Sequence, residues 1–406
     1  MWRMMIRQVN VLMLLLVMSE VSCFVAPSDT TRIRPSTTTT TSSCRGDHRR
    51  RLLVLWQESS TTDDESSSST SNAAADKDVV DTSTMTLLEH VNLNVPSHEY
   101  IVPFYFDVLG LGLDPRKAAN LDYETTGKKT LWANCGASQF HLPYGERAQQ
   151  IPGHVGLLYP DAASLQRLEQ RLQANRTAFA SYEKSVDPRS SGQNVLSVVD
   201  KYGNQFKCRV GASGVPEAWQ QPVIGTTGAD KATWGDAVVH RFGKDTAECV
   251  GLSYVEFNCP PGTADKISLF YDSVFDATTS VVQDTTGPVA IIGFGNITSQ
   301  GRSDQALLFR ETARSTIPPY DGHHVAMYVG QSAEDFAQAF KNAQLAGVVW
   351  KNPRFADQVD TLALAAQWNQ FRFKDIVDMD TGETIFTLEH EIRSVAHESW
   401  PGAKLS

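Results

Sequence analysis

The stretch LLEHVNLNVPSHEYIVPFYFDVLGLG, residues 87–112, decides the fold because its pattern occurs again later in the chain. It holds an alternating strand, a turn with proline and a helix carrying FYFDV, and residues 251–277, GLSYVEFNCPPGTADKISLFYDSVFDA, follow the same order with FYDSV. IPGHVGLLYPDAASLQRLEQRLQ (151–173) similarly matches YDGHHVAMYVGQSAEDFAQAFKNA (320–343), and both pairs are about 165 to 170 residues apart. A repeat at a fixed distance indicates a duplicated fold. The sequence therefore predicts two tandem halves, each made of two half-units.

Each half-unit is expected to contain one strand, one helix and then further strands. Leu165, Leu168 and Leu172 give one helix a single apolar face, which predicts that the helices cover one side of a sheet. In the first half we expect helices near 97–110 and 161–174, and strands at 87–95, 129–135, 137–142, 152–159, 194–200 and 204–211. The second half is expected to repeat this order.

Alternate residues of a strand face opposite sides of a sheet, so the polar face can be predicted. In the first strand Val91 and Leu93 are apolar and should face the helices, which leaves His90 and Asn92 on the other side. A polar face opposite the helices is what a binding site requires. By the same alternation this face also carries Gln139, His141, His154, Glu389 and Glu391.

Three segments together resemble a known superfamily. They are the helix ending in FYFDVLGLGL, the strand GHVGLLY with a helix directly after it, and the hairpin DKYGNQFKCRV. In this order and duplicated, they resemble the vicinal-oxygen-chelate superfamily, which includes glyoxalase I, extradiol dioxygenases and bleomycin-resistance proteins. The resemblance covers about residues 86–396. It implies an α+β fold of paired βαβββ modules, four modules in two tandem halves, whose sheets form open cups around a divalent metal.

The resemblance implies a first metal site in the N-terminal half. His90, His141 and His154 match ligand positions of the family, while the fourth ligand position falls on Lys207, where a carboxylate is expected. Lysine is a poor metal ligand at neutral pH, but three imidazoles with an open position can hold Zn, Fe, Ni or Mn. The alternative is that these histidines only form hydrogen bonds or pack in the cup.

A second metal site is implied in the C-terminal half, where Glu311, His324 and Glu389 match ligand positions. Tyr254 stands where extradiol dioxygenases have their first histidine, which argues against a dioxygenase of the standard type. The candidate catalytic bases are Glu311, Glu389 and Glu391.

The resulting functional hypothesis is a metal-dependent enzyme that acts on a small metabolite with adjacent oxygens. The metal would act as a Lewis acid on the two oxygens while a carboxylate or histidine moves the proton. A lyase, an isomerase and a dioxygenase all remain open, as does activity in only one half. The alternative is a metal-free small-molecule-binding protein of the bleomycin-resistance type. Because the two halves can pack against each other within one chain, we expect a monomer.

Composition excludes several other partners. The formal net charge of −10 argues against a nucleic-acid partner. No run of about 18 apolar residues is present, so the mature protein is expected to have no membrane span. The four cysteines of the predicted domains lack CxxC spacing and are expected to be reduced thiols: Cys135, Cys208, Cys249 and Cys259.

The N-terminus is expected to direct transport. Residues 1–23 place Arg3 and Arg7 before the apolar VLMLLLVM, as a signal peptide does, and residues 24–57 have the Arg, Ser and Thr content of a transit peptide. Together they resemble the plastid-targeting leaders of algae with secondary plastids, with secretion as the alternative. The rest of the chain is expected to divide into a disordered linker (58–85), a first glyoxalase-like domain (86–212), a connecting segment (213–247), a second such domain (248–396) and a tail (397–406).

The segment FRFKDIVD, residues 371–378, predicts one further strand. Its Arg372 and Lys374 share a face and could bind a substrate carboxylate. Because cationic side chains are mostly exposed, we expect both to face solvent.

Overall fold

The computed structural model describes residues 79–114, 129–186, 193–211, 248–298 and 303–400, together with Lys117 and Asn120. The predicted signal peptide, transit peptide and connecting segment lie outside the described residues, as do most of the linker and the end of the tail. Residues 79–85 form part of the fold, although the linker was expected to extend to residue 85. Among the described helices, none is long and apolar enough to span a membrane.

The described residues form sixteen strands and five α-helices, which are numbered in chain order. The strands are β1 (Val79–Thr82), β2 (Met85–Asn92), β3 (Gly112–Leu113), β4 (Leu131–Cys135), β5 (Ser138–Leu142), β6 (Gly153–Tyr159), β7 (Ser181–Val186), β8 (Asn194–Val199), β9 (Gln205–Val210), β10 (Gly251–Cys259), β11 (Thr279–Asp284), β12 (Gly287–Thr298), β13 (Ser303–Glu311), β14 (His324–Val329), β15 (Gln370–Val377) and β16 (Thr384–Ser394). The helices are α1 (His98–Ile101), α2 (Ala162–Ala174), α3 (Ala264–Phe275), α4 (Ala333–Leu345) and α5 (Leu362–Trp368), with a π-helix at Val102–Val108 and a 3-10 turn at Arg314–Thr316.

The strands form two open mixed sheets, which confirms the predicted α+β class. One sheet has nine strands in the order β1-β12-β13-β10-β6-β9-β8-β7, with β11 also pairing with β12. The other has seven strands in the order β15-β16-β14-β2-β5-β4-β3. Each sheet thus combines strands from both predicted halves of the sequence.

The centre of each sheet shows which half-units are partners. β2 pairs antiparallel with β14, and β6 pairs antiparallel with β10. Each of these first strands pairs on its other side, in parallel, with the last strand of its own half-unit, namely β5, β16, β9 and β13. The first half-unit therefore joins the fourth, and the second joins the third. The expected convergence of the first and second half-units in one cup is wrong.

Helix faces follow the predicted pattern. Leu165, Leu168 and Leu172 of α2 are buried, and the Asp161 side chain caps this helix by accepting the Ser164 amide at 2.6 Å. The helix expected near 97–110 instead begins as a single α-turn and continues as a π-helix, in which the Leu109 amide donates to the Phe104 carbonyl at 2.9 Å. Pro103 near the start of the π-helix has no amide hydrogen to donate.

The apolar core joins the two sheets. Phe309 of β13 contacts Phe257 of β10 and Phe386 of β16, with ring centroids 5.7 Å and 5.6 Å apart. This packing ties the nine-stranded sheet to the seven-stranded one. The four cysteines expected to be reduced are buried and free, as predicted.

Candidate metal centre

Two histidines and one glutamate meet in the middle of the seven-stranded sheet. His90, His324 and Glu391 each offer one ligand atom, and these atoms all lie within 4.8 Å of one another. The Nε2 atoms of the two histidines are 3.4 Å apart, and His324 Nε2 lies 3.8 Å from Glu391 Oε2. The three residues are 1%, 2% and 4% exposed, respectively. Among the described residues, no other group of this kind could hold a metal ion.

Strand register explains why residues so distant in sequence meet. β14 lies between β2 and β16, and its Ala326 is the register partner of His90 on one side and of Glu391 on the other. His324 is two residues before Ala326 and so faces the same side. The small side chain of Ala326 separates the imidazole of His90 from the carboxylate of Glu391.

A carboxylate fixes the orientation of His90. His90 Nδ1 bonds to Glu89 Oε2, and Arg393 donates to the same Glu89 oxygen at 3.0 Å. Burial would raise the pKa of Glu89, but Arg393 and His90 lower it to about 2. The second imidazole nitrogen, Nε2, is thereby directed toward His324. A metal-ligating histidine commonly bonds through its other ring nitrogen to a carboxylate, which fixes the orientation of the ring.

His324 has the properties of a neutral ligand. Burial lowers its pKa well below the ordinary histidine value, with a further contribution from His90. Its Nδ1 is buried and has no hydrogen-bond partner. Only a neutral imidazole offers a lone pair to a metal, so this ring is already in the required form.

Two arginines hold Glu391. Arg372 Nη2 donates to its Oε2 at 2.5 Å, and Arg393 Nε donates to its Oε1 at 2.6 Å. Burial would raise the pKa of Glu391, but Arg393 and Arg372 keep it well below the ordinary value. Each carboxylate oxygen has about two lone-pair sites. Oε2, which lies 3.8 Å from His324 Nε2, accepts one bond from Arg372 and so keeps a site for a metal.

Carboxylates outnumber arginines in this cluster. Arg372 also bonds to Glu389 at 3.1 Å and to Asp357 at 2.9 Å. Three arginines, Arg354, Arg372 and Arg393, pair with four buried carboxylates: Glu89, Asp357, Glu389 and Glu391. Arg354 is 45% exposed and lies 3.2 Å from Glu389. Buried charge is costly unless it is paired, so an acidic cluster of this kind favours a bound cation. The donor set of two imidazoles and a carboxylate suits Zn, Fe, Mn or Ni.

His141 lies beside this centre without belonging to the ligand group. Its ring stacks on His90 with centroids 3.8 Å apart and on Trp132 with centroids 4.5 Å apart. Its Nε2 is 3.0 Å from Gln139 Oε1. The alternation correctly placed His141 and Gln139 on the face that carries His90.

His154, the third expected ligand of the first site, lies in the other sheet. It is on β6, where its register partner is Glu256 of β10, and its Nδ1 is 3.4 Å from Glu256 Oε1. Arg310 binds both oxygens of Glu256, at 2.9 Å and 3.0 Å. His154 therefore does not converge with His90, because the half-unit that begins with β6 pairs with the third half-unit. Tyr254 lies near His154, with ring centroids 5.4 Å apart.

The glutamates expected as bases separate into two groups. Glu389 and Glu391 both contact Arg372 in the polar cluster. Glu311 does not reach it: its Oε1 accepts the Ala264 amide at 2.8 Å, at the start of α3. Glu311 is two residues from the buried Phe309 on β13, so alternation places its side chain on the helix side.

The sequence prediction missed several members of the cluster. The strand expected at 371–378 is present as β15, but Arg372 is 4% exposed, so the expectation that it faces solvent is wrong. A segment before α5 covers it: Asn352 donates to Glu389 at 2.7 Å, and the Phe355 ring centroid is 4.0 Å from the Arg372 guanidinium. Nothing in the sequence showed which carboxylates lie opposite Arg372.

Comparisons with known proteins give structural similarities only. No protein-family model matches the chain, and no curated protein matches it. Glyoxalase I from Zea mays is similar with a TM-score of 0.45 and 12% identity, over 79% of this chain and 95% of that chain. A dioxygenase candidate from Bacillus subtilis is similar with a TM-score of 0.45 and 16% identity, over 79% of this chain and 88% of that one. The 2,2',3-trihydroxybiphenyl 1,2-dioxygenase from Sphingomonas wittichii has a TM-score of 0.25 and 13% identity, over 76% and 90%.

Proposed function

We propose that this protein is an enzyme that uses a divalent metal held by His90, His324 and Glu391. The observation that carries the proposal is this buried ligand group, whose donor atoms lie within 4.8 Å of one another in a cluster where four carboxylates meet three arginines. The orientation of His90 by Glu89 supports the same proposal.

The resemblance of the sequence to the vicinal-oxygen-chelate superfamily supports a small substrate with two adjacent oxygens. A bound divalent metal would supply Lewis-acid chemistry, polarising such oxygens. The candidate reactions are those of a lyase, an isomerase or a dioxygenase. The leader further supports a proposal that the enzyme works in a plastid.

Glu389 is the best candidate for the proton-transfer group. Its Oε1 accepts hydrogen bonds from Asn352 and Arg372, and its Oε2 accepts one from Arg354. Of these three donors only Arg354 is half exposed, so Oε2 is the oxygen nearer to solvent. A carboxylate oriented in this way can accept a proton from a substrate that displaces Arg354.

A metal-free binding protein is the second candidate. It is favoured by one observation, that both oxygens of Glu391 already hold arginines. In that case the cluster would be a structural network, and a ligand would bind to Arg354, whose side chain is 45% exposed.

Metal analysis of the purified chain tests the proposal. We expect about one equivalent of a transition metal in the wild type, and its loss in a His90→Ala/His324→Ala double variant. His154→Ala is the matched control, because His154 lies in the other sheet. Metal that survives in the double variant but disappears in the control would place the site in the nine-stranded sheet. Absence of metal after incubation with Zn²⁺, Fe²⁺, Ni²⁺ and Mn²⁺ would leave the metal-free protein as the better proposal.

A further inference from the structure

Two sequence motifs for N-glycosylation lie in the described part of the chain. NRT (residues 175–177) and NIT (residues 296–298) both have the pattern Asn-X-Ser/Thr in which X is not proline. The pattern is used only in a chain that enters the secretory pathway, and residues 1–23 have the features of a signal peptide. The plastid leader and its alternative, secretion, both begin with this signal peptide. The surroundings of the two motifs differ.

The motif at residues 175–177 is exposed at the end of a helix. All three of its residues are exposed. They follow α2 in a turn, in which the Ala178 amide donates to the Asn175 carbonyl at 2.9 Å. Asn175 Nδ2 also donates to the Arg171 carbonyl at 2.9 Å. A side-chain amide nitrogen carries two hydrogens, so Asn175 can keep this bond to the end of α2 after a sugar has replaced one of them.

The motif at residues 296–298 is part of a paired strand. It belongs to β12, which lies between β1 and β13, and Asn296 is the register partner of Thr82 in β1. The backbone and side-chain nitrogens of Asn296 both donate to Asp304 Oδ2, at 2.9 Å and 3.0 Å. Asn296 is only partly exposed, and the next residue, Ile297, is buried. A sugar on Asn296 would crowd the Asp304 contact and the pairing with β1, so this motif is not expected to carry a glycan in the folded protein.

The exposed motif lies beside a sheet edge. Among the described strands, β7 is the last in the nine-stranded sheet and pairs only with β8. The Arg176 guanidinium lies 4.7 Å from the centre of the Tyr182 ring of β7, and Val186 at the end of β7 is 58% exposed. A free strand edge can pair with another chain, and natural proteins protect such edges. A bulky, soluble group on Asn175 would provide this protection.

We propose that Asn175 carries an N-linked glycan, which shields the free edge of β7. The glycan comes from a lipid-linked oligosaccharide diphosphate of the endoplasmic reticulum. A bond forms between Asn175 Nδ2 and C1 of the first sugar, the bond from C1 to the diphosphate oxygen breaks, and the amide releases one proton to water. The proposal rests on the predicted signal peptide and does not depend on the metal centre.

Translation of the full chain with microsomes of the endoplasmic reticulum tests the acceptor. We expect a chain that is protected from added protease and carries one glycan, seen as a single size shift that peptide-N-glycosidase reverses. Asn175→Gln and Thr177→Ala are expected to lose the shift, whereas Thr177→Ser, which keeps the motif, and Asn296→Gln are expected to retain it. A protected chain without a glycan, or any shift that depends on Asn296, would overturn the assignment. A chain that stays outside the microsomes would overturn the signal peptide, and the proposal with it.

The two Thr177 variants also test the shielding of β7. Purified from a eukaryotic host, Thr177→Ser is expected to carry the glycan and Thr177→Ala to lack it, although the two side chains differ by only one exposed hydroxyl group. We expect the Thr177→Ala protein to associate more strongly, as measured by light scattering. Adding Val186→Lys, a charge on the edge strand, is expected to reverse this association. Equal association of the two Thr177 variants would overturn the shielding.

Discussion

His90 and Glu391 are held on opposite sides of one residue: both are register partners of Ala326 in β14. β2 carries His90 near the start of the described chain, and β16 carries Glu391 near its end. The polar cluster therefore requires that the first and fourth half-units share a sheet. A change in that pairing by one residue would turn His90 to the helix side, because side chains alternate along a strand.

Filling the space at Ala326 should remove the metal. Ala326 is fully buried and lies on the face of the cluster, so Ala326→Leu would push a branched side chain between His90 and Glu391. We expect metal content to fall to near zero and the free energy of unfolding to fall by about 1–3 kcal/mol from overpacking. Met327→Leu is the control, since Met327 faces the other side and the change conserves volume. Full metal content in the Ala326→Leu variant, measured by elemental analysis, would argue against this site.

Removing Arg372 should destabilise the apo protein strongly. Arg372 is buried and contacts Asp357, Glu389 and Glu391, so Arg372→Met takes the arginine from the buried Asp357 and leaves Glu389 and Glu391 with one arginine each. We expect the free energy of unfolding in urea to fall by about 3–5 kcal/mol. Lys374→Met is the matched control on the same face of β15, because Lys374 is about one-third exposed, and its expected effect is within about 0.5 kcal/mol.

A bound metal should reduce the loss of free energy of unfolding in the Arg372→Met variant. The metal supplies positive charge to the same carboxylates and binds only the folded state. Urea unfolding repeated with excess Zn²⁺ measures this effect. A loss that is identical with and without Zn²⁺ would show that the cluster does not bind zinc.

Which side chains face the cluster could be predicted from alternation alone. Val91 and Leu93 are buried in the core while His90 contacts His324, and Leu388 and Ile392 are buried on the side opposite Glu389 and Glu391. Such predictions succeed because the period of a strand is fixed at two residues and the helices need an apolar face. Glu311 was wrongly assigned to the polar site because its role was taken from the family resemblance. It lies two residues from Phe309 on the same strand, and this alternation already indicated that its side chain faces the helices.

Strand neighbours were the part that the sequence could not determine. β2, β6, β10 and β14 all have the same alternating pattern, and any two of them could pair antiparallel. The sequence of one strand does not show which other strand it pairs with, because strand pairing depends on the packing of the whole chain. His154 was therefore grouped with His90, and the buried position of Arg372 was missed for the same reason.

Gly153 should be indispensable for the pairing of β6 with β10. A Cβ at this position would lie 2.0 Å from the backbone oxygen of Glu256, and a backbone atom of a paired strand cannot move away without breaking the ladder. We expect Gly153→Ala to reduce the free energy of unfolding by at least about 3 kcal/mol or to prevent folding. Gly262→Ala is the control: nothing lies within 4 Å of its Cβ and only its φ of +76° is unfavourable, which costs about 1–2 kcal/mol. Thermal melting of both variants compares the two effects.

Acid should weaken the fold partly through Glu89. Its pKa falls from 4.5 in the unfolded chain to about 2 in the folded protein, where Arg393 and His90 outweigh the opposing effect of burial. A carboxyl whose folded pKa is lowered stabilises the fold fully above the unfolded pKa, and this stabilisation is lost as the pH falls from about 4.5 to about 2. The stabilisation lost in this way is at most about 3 kcal/mol, because the pKa falls from 4.5 to about 2 and each pH unit corresponds to about 1.4 kcal/mol.

Glu89→Gln retains the shape of the side chain but has no titrating group. We expect the free energy of unfolding of this variant to depend less steeply on pH between about 4.5 and 2 than that of the wild type. Glu99→Gln is the control, because Glu99 is exposed at the start of α1, and its pH dependence should follow the wild type. Urea unfolding at several pH values measures both slopes. Equal slopes for the wild type and the Glu89→Gln variant would mean that Glu89 is not ionised beside His90, and the support it gives to His90 as a metal ligand would be lost.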